Sequence, residues 1–250
     1  AEDRRERLLV AARMILDRLD HTSGYRDPSI GKAMERTEAE MQRYAEGDLI
    51  GPSCGLDWFD SRTAGLAPGN VWTIAGPYKG RKTSLLRNIL LGACARGASV
   101  SMFALEGSQS QTVAALLAML ATRRLVKWGR AEDAVLTPIF VLRGRRSEAQ
   151  AQALAEARAE LSGYNLRIYD AKDGIFSVDV VRSLIRRDKM LHGLDAFALD
   201  YLQLLGADGS GIFERMEGNA RIMQRTAEEE AVTAVLLVQL NEGAIALMDS

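Results

Sequence analysis

The chain has little cysteine, little histidine and no long hydrophobic run. Its two cysteines, Cys54 and Cys94, form no CxxC pair, and the two histidines do not complete a zinc-binding set with them. This composition argues against a structural metal site and indicates a reducing compartment. The longest apolar runs, at 197–205 and 232–240, have the length of a strand, so we expect no membrane span. The charged start AEDRRERLL is unlike a signal peptide, and we expect a cytoplasmic protein.

An excess of charge of either sign is also missing, since the formal net charge of the 250 residues is −1. The chain therefore does not resemble a uniformly basic nucleic-acid coat, and any DNA would be bound by particular loops or by a channel that several subunits form. Apolar residues make up 47% and charged residues 26%, as in ordinary soluble globular proteins. The length accommodates one large α/β core with an extension.

The N-terminal part, residues 1–49, predicts two helices that precede the core domain at 50–250. A helix over 4–19 has apolar residues at helical spacing and charged residues on its other face. A second helix, over 31–45, is polar except for one short apolar stripe. The stripe consists of Met34, Met41 and Tyr44. Such a helix is too polar to be a core helix, and we expect an arm that docks on another surface.

From residue 66 onwards, strand patterns alternate with helix patterns. We expect strands at 70–75, 98–105, 139–142, 165–169, 197–199 and 233–239. We expect helices at 82–95, 109–125, 147–161, 178–191 and 218–230. The alternation predicts an α/β fold with a mainly parallel sheet flanked by helices on both faces. In such sheets, ligands bind outside the carboxyl ends of the strands.

The segment GPYKGRKTS follows a predicted strand and begins a helix, which is the setting of a phosphate-binding loop. Such a loop wraps backbone N–H groups around a phosphate, with Lys82 for the β- and γ-oxygens and Thr83 for Mg²⁺. Arg81 stands where the pattern G-x-x-x-x-G-K-[ST] requires its second glycine. The alternative interpretation is a turn that precedes a helix with a surface lysine. The candidate nucleotide-binding residues are Gly76, Pro77, Tyr78, Lys79, Gly80, Arg81, Lys82, Thr83 and Ser84.

Three further polar residues end predicted strands. Asp200 closes the run DAFALD, as in the Walker B arrangement, in which a carboxylate orients Mg²⁺. Glu106 follows the strand at 98–105, where it would act as the general base for an attacking water. Gln239 ends the last strand, where a neutral amide would sense the γ-phosphate. Each alone is also compatible with a solvated strand end, but their order together with the phosphate loop favours an ATPase.

The sequence resembles the C-terminal ATPase domain of DnaB-type replicative helicases, which are RecA-like P-loop NTPases. The resemblance covers about residues 50–241, and its DYLQL and QLN segments are more specific than the phosphate loop. The matching segments are GLDWFDSRTAGL (55–66), GNVWTIAGPYKGRKTS (69–84), FALEG (103–107), ALDYLQLL (198–205) and VLLVQLN (235–241). The residues to which it assigns roles are Lys82 (phosphate), Thr83 and Asp200 (Mg²⁺), Glu106 (catalytic base) and Gln239 (γ-phosphate sensor).

The resemblance implies a DNA helicase subunit that uses ATP and Mg²⁺, binds single-stranded DNA and forms a homo-oligomer, as a hexameric ring. A primase or a helicase loader would be a further partner, in the cytoplasm of a bacterium or of a bacterial host of a phage or plasmid. The arm at 31–45 would pack on the neighbouring subunit, and the Gly-rich stretch 206–218 would be a mobile loop that contacts DNA. Because the family's second DNA loop and basic finger residues follow the QLN strand, we expect the chain to be incomplete at its C-terminus.

Arg81 leaves two alternatives open. Its guanidinium turns toward the γ-phosphate or a partner carboxylate while Gly80 absorbs the backbone strain, or it holds the loop away from the nucleotide. The first alternative fits a helicase motor. The second fits a RecA-like regulatory or loader-like module that binds nucleotide with weak or no ATPase activity. A RecA-like recombinase or a clock-type ATPase is a third interpretation, which the DYLQL and QLN segments disfavour.

Overall fold

The computed structural model describes residues 27, 29–46, 49–144, 146–173, 177–206 and 211–240. The chain divides into two compact units, Ala1–Asp48 and Leu49–Ser250. The helix predicted over 4–19 lies outside the described residues. Within the part of the chain that the structure describes, no helix combines the length and the apolar character that crossing a membrane requires.

The described part of the first unit contains one helix, α1 (Ile30–Ala45), at the position predicted for the arm. Its apolar side chains are exposed, since Ile30 is 76%, Met34 55% and Met41 64% accessible. Tyr44, the third residue of the predicted stripe, lies in α1, but its side chain is outside the described part. An isolated helix of this length is marginally stable in water, so α1 gains from packing against a partner surface.

The second unit is an α/β domain in which five parallel strands alternate with helices. The strands are β1 (Val71–Gly76), β2 (Val100–Ala104), β3 (Leu166–Asp170), β4 (Ala196–Asp200) and β5 (Thr233–Gln239). The helices are α2 (Asp57–Thr63), α3 (Lys82–Cys94), α4 (Gln109–Lys127), α5 (Pro138–Arg143), α6 (Glu148–Ser162), α7 (Val178–His192) and α8 (Ile212–Glu229). The strand order is β1-β5-β4-β2-β3, which confirms the predicted parallel sheet.

Helices cover both faces of the sheet because the central strands are apolar along their whole length. Every residue of β2 and β4 is buried, as is usual for parallel strands covered on both sides. Successive side chains of β2 point to opposite faces. Met102 belongs to the core cluster that contains Leu86 of α3, whereas Phe103 belongs to the cluster that contains Ile185 of α7 and Met223 of α8. This sandwich places the carboxyl ends of all five strands at one edge.

The strand predicted at 139–142 is wrong, because these residues lie in α5. The Thr137 side chain caps this helix by accepting a hydrogen bond from the backbone N–H of Phe140 at 3.2 Å. Pro138 occupies the first helical position, where its fixed φ and missing N–H are tolerated. The apolar run IFVL is too short for periodicity to separate a strand from a helix, and the two N-terminal signals decide the outcome.

The stretch 206–218, predicted as a mobile loop, is helical over its second half. Helix α8 begins at Ile212, well before the predicted start at 218. A glycine inside a helix costs about 1 kcal/mol relative to alanine, which the rest of α8 outweighs. The buried side-chain amide of Asn219 donates to the backbone oxygen of Leu205 at 3.1 Å and fastens α8 to the residues that follow β4. Residues 207–210 lie outside the described part.

Candidate active site

Four of the five strands bring predicted site residues to one edge of the sheet. Strands β1, β4 and β5 end at Gly76, Asp200 and Gln239, and Glu106 follows β2. Between these ends lies a cleft of about 350 Å³. The residues that line it are Tyr78, Lys79, Gly80, Arg81, Lys82, Thr83, Glu106, Asp200, Tyr201 and Gln239. Residues far apart in the sequence therefore share one cleft, as expected for the carboxyl edge of a parallel sheet.

The segment between β1 and α3 is closed by its own hydrogen bonds. Lys82, the first residue of α3, donates from Nζ to the backbone oxygens of Gly76 at 2.9 Å and of Pro77 at 2.8 Å. The N–H of Gly80 donates to the oxygen of Pro77 at 3.0 Å. Gly76 and Pro77 thus support the loop without lining the cleft, and Ser84 does not line it either. A phosphate group would replace the two carbonyls as partner of the Lys82 ammonium.

Arg81 itself adopts the backbone conformation that favours glycine. It is the N-cap of α3, with φ 59° and ψ 19° in the left-handed region, and Lys79 also has a positive φ of 60°. Gly80 has no positive φ, so the expectation that Gly80 absorbs the strain is wrong. Gly80 is instead required by space, because a Cβ there would lie 2.9 Å from the oxygen of Pro77. A left-handed non-glycine residue costs roughly 1–2 kcal/mol, which the loop bears at Arg81.

Thr83 and Asp200 form the part of the site that suits a metal ion. The Thr83 hydroxyl donates to Oδ1 of Asp200 at 3.3 Å, and Asp200 is only 5% exposed. Burial raises the pKa of Asp200, and the Thr83 hydrogen bond opposes this only in part. Mg²⁺ is usually held by one or two protein oxygens together with substrate phosphates and water. One hydroxyl and one carboxylate fit that mode, and the described residues contain no cluster of three His, Cys, Asp or Glu side chains that would form a separate metal site.

Glu106 is exposed and lies in a turn that is fixed at its far end. Ser108 caps α4 in a reciprocal capping box with Gln111. The N–H of Gln109 donates to the carboxylate of Asp170 at 2.7 Å, which ties the start of α4 to the end of β3. The backbone that carries Glu106 is therefore held while its side chain faces the cleft. A carboxylate in such a position can accept a proton from a water molecule.

Gln239 lies at the end of β5, where neighbouring segments hold its backbone. The side-chain amide of Gln203 donates to the backbone oxygen of Gln239 at 2.8 Å. The N–H of Leu240 donates to the oxygen of Gly76 at 3.0 Å, so β5 and the start of the phosphate loop are fastened together. The Gln239 side chain lines the cleft beside them.

Three residues at or near the site were not predicted. Tyr201 lines the cleft beside Asp200, within the DYLQL segment. Asp170 holds the turn after Glu106, and its position at a strand end was the available signal. Arg87 lies one helical turn beyond Thr83 in α3, and that spacing of four residues was the available signal. Burial lowers the pKa of Arg87, against the effect of the Asp200 and Glu106 carboxylates.

Comparison with known proteins identifies the family to which this domain corresponds. Residues 51–246 match the family model described as the DnaB-like helicase C-terminal domain. The replicative DNA helicase DnaB of Leifsonia xyli subsp. xyli is 27% identical over 212 residues, covering 82% of this chain and 42% of that protein. The replicative DNA helicase DnaB of Helicobacter pylori is 30% identical over 207 residues, covering 81% and 39%. The chain thus spans about two fifths of the length of these curated relatives.

Two solved structures share the fold. One is an isolated ATPase domain, which superimposes with a TM-score of 0.71 at 23% identity, over 87% of this chain and 73% of that one. The other is a DnaB-like replicative helicase, described with its interactions with primase, which superimposes with a TM-score of 0.70 at 21% identity, over 95% and 58%. Because the match to the family model spans most of the sequence, the chain belongs to the DnaB-like helicase C-terminal domain family.

Proposed function

We propose that the chain binds and hydrolyses ATP, as the ATPase part of a replicative DNA helicase that moves on single-stranded DNA. The observation that carries this proposal is the meeting of a phosphate loop, a buried strand-end aspartate and an exposed glutamate around one cleft. Membership of the DnaB-like family supports the same reaction. Each element has a separate part in phosphoryl transfer, which depends mainly on positioning and electrostatic stabilisation.

In the proposed mechanism, Lys82 leaves the carbonyls of Gly76 and Pro77 and binds the β- and γ-phosphate oxygens. The N-terminus of α3 directs its backbone N–H groups toward the same phosphates. Thr83 and Asp200 would hold Mg²⁺, which neutralises phosphate charge when it is bound. Glu106 accepts the proton of the attacking water, and Gln239 contacts the γ-phosphate.

Arg81 adds a third cation beside Lys79 and Lys82 at the mouth of the cleft. We propose that its guanidinium turns toward the γ-phosphate or toward a carboxylate of a partner subunit. A charged hydrogen bond of this kind would offset the left-handed backbone conformation at this position. The strain at Arg81 also favours a second candidate function, a nucleotide-binding regulatory module whose loop turns over ATP slowly.

The test of ATP hydrolysis compares three variants by phosphate release and by nucleotide-binding calorimetry. Lys82→Ala should lose most binding or hydrolysis, since a point charge on the transferring phosphate is worth several kcal/mol in the transition state. Glu106→Gln should bind ATP and hydrolyse it roughly 100-fold more slowly. Lys127→Ala, at the exposed end of α4, is the matched control and should behave as the wild type. Unchanged hydrolysis in Lys82→Ala would refute the proposal, and tight binding without turnover in the wild type would favour the regulatory module.

We also propose that copies of the chain assemble into a hexameric ring, with α1 resting on a neighbouring copy. The exposed side chains of Ile30, Met34 and Met41 support this, because they give a mostly polar helix one apolar face. By family relationship, the complete protein would act in the cytoplasm of a bacterium, or of a bacterial host of a phage or plasmid. A primase or a helicase loader would be its further partner.

The assembly proposal is tested by analytical ultracentrifugation. A chain that lacks residues 1–49 should sediment as smaller species than the full chain at equal concentration. Met34→Glu with Met41→Glu should have the same effect, whereas Lys32→Glu, on the exposed polar face of α1, is the control. An oligomer of unchanged size in the deletion variant would show that α1 does not contribute to assembly.

A further inference from the structure

Arg87 is a cation in an unusual place, within the helix that carries the phosphate-loop lysine. Its side chain is partly buried, and within the described part of the chain its Nε atom is fully buried without a hydrogen-bond partner. A buried charge is unfavourable unless opposite charges lie near it. The negative groups that act on Arg87 are the carboxylates of Asp200 and Glu106, both of which line the cleft.

The surroundings of Arg87 join the two halves of the candidate active site. One helical turn before it, Thr83 donates its hydroxyl to Asp200. On its other side, Arg87 lines a cavity of about 250 Å³ together with Gln111 of α4 and residues of α5. The Gln111 side chain accepts a hydrogen bond from the N–H of Ser108 at 3.0 Å and so closes the turn that carries Glu106. Arg87 therefore lies between the metal side and the base side of the cleft.

We infer that Arg87 is a positioning residue for Glu106, which supplies within the same chain a positive charge behind the two carboxylates. Asp200 and Glu106 repel one another across the cleft, and a bound triphosphate would add further negative charge. Without a compensating cation, the exposed Glu106 would turn away toward solvent. The guanidinium of Arg87 favours the orientation in which Glu106 faces the attacking water. This inference rests on the proposed hydrolysis of ATP.

The experiment compares Arg87→Gln, Arg87→Lys and the exposed control Arg130→Gln by steady-state hydrolysis and nucleotide-binding calorimetry. Arg87→Gln should lower kcat about tenfold or more, because a misplaced catalytic group loses much of its effect. The dissociation constant for ATP should stay within about twofold, since Arg87 acts through Glu106 and not on the nucleotide. Arg87→Lys should recover most of the lost kcat, and the control should match the wild type.

A double-mutant cycle separates positioning from mere packing. In the Glu106→Gln background, Arg87→Gln should lower the residual rate by less than about twofold, because the group on which it acts has been replaced. An equal loss in both backgrounds, or a fall in ATP affinity and melting temperature that Arg87→Lys does not repair, would overturn the inference. Wild-type kcat in Arg87→Gln would overturn it while the proposed function stands. Equal hydrolysis by the wild type and Lys82→Ala would remove the proposed function, and this inference with it.

Discussion

Asp188 and Asp200 are both buried aspartates of the α/β domain, yet the fold treats them differently. Asp188 of α7 is 0% exposed and accepts hydrogen bonds from the Ser101 hydroxyl at 2.6 Å and the Tyr169 hydroxyl at 2.8 Å. Arg187 donates to its other oxygen at 3.1 Å. Among the described residues, Asp200 receives one side-chain hydrogen bond, from Thr83 at 3.3 Å.

The pKa directions of the two carboxyl groups follow from these contacts. Burial acts to raise both pKa values. At Asp188 the hydrogen bonds from Ser101 and Tyr169 outweigh burial, so its pKa lies below the usual range. At Asp200 the Thr83 hydroxyl does not, and its pKa is raised. The comparison teaches that the fold itself completes the first carboxylate, whereas the second is left with oxygen lone pairs for a ligand.

The largest expected effect is on stability, and it has opposite signs at the two positions. Asp188→Asn should destabilise the domain by about 3 kcal/mol, because it leaves buried donors and a guanidinium without their anion. Asp200→Asn should leave stability unchanged or raise it by up to about 1 kcal/mol, because it removes a buried charge that is poorly compensated. Urea unfolding of both variants measures the difference. Equal destabilisation by the two substitutions would contradict the distinction between a structural and a ligand-binding aspartate.

The pH dependence of unfolding should separate the same two groups. The contribution of Asp188 is present above the unfolded pKa of about 3.9 and is lost as the pH falls through its lower folded pKa. The unfavourable contribution of Asp200 develops as the pH rises above that value through its raised folded pKa. The stability difference between wild type and Asp188→Asn should therefore shrink in acid. The difference between Asp200→Asn and wild type should also shrink in acid, but at a higher pH, and urea titrations between about pH 3 and pH 7 test both.

Arg81→Gly should have the smallest effect. Glycine removes the cost of the left-handed conformation, so stability should rise by about 1 kcal/mol. ATP affinity should stay similar or weaken by no more than about 1 kcal/mol, the scale of one exposed charge contact. Urea unfolding and nucleotide titration of this variant are the two measurements. A large gain in affinity and turnover would instead show that the native loop is impaired and would support the regulatory module.

The sequence predicts the strand ends of the site well, for a physical reason. Asp200 and Gln239 end apolar runs, and parallel topology then brings them to one edge with the phosphate loop. The roles of Asp188 and Arg87 could not be predicted, because charges on amphipathic helices normally face solvent. Their partners come from tertiary packing, as when Ser101 of β2 meets Asp188 of α7.

The loop conformation was predictable only in part. The missing glycine marks position 81 as unusual, but the sequence does not show whether a neighbour takes the left-handed conformation in its place. The close approach of Pro77 to Gly80 decides this, because a Cβ at Gly80 would clash with the Pro77 oxygen. Short apolar segments such as IFVL of α5 remain ambiguous until their caps are recognised.

The central claim is that the carboxyl edge of the sheet leaves Asp200 and Lys82 to be completed by Mg²⁺ and nucleotide. The most direct test is calorimetric titration with ATP, with and without Mg²⁺, of the wild type and of Asp200→Asn. The account predicts that Mg²⁺ tightens ATP binding to the wild type about tenfold or more, and that Asp200→Asn loses most of this gain. Equal dependence on Mg²⁺ in the two proteins, or no ATP binding by the wild type, would contradict it.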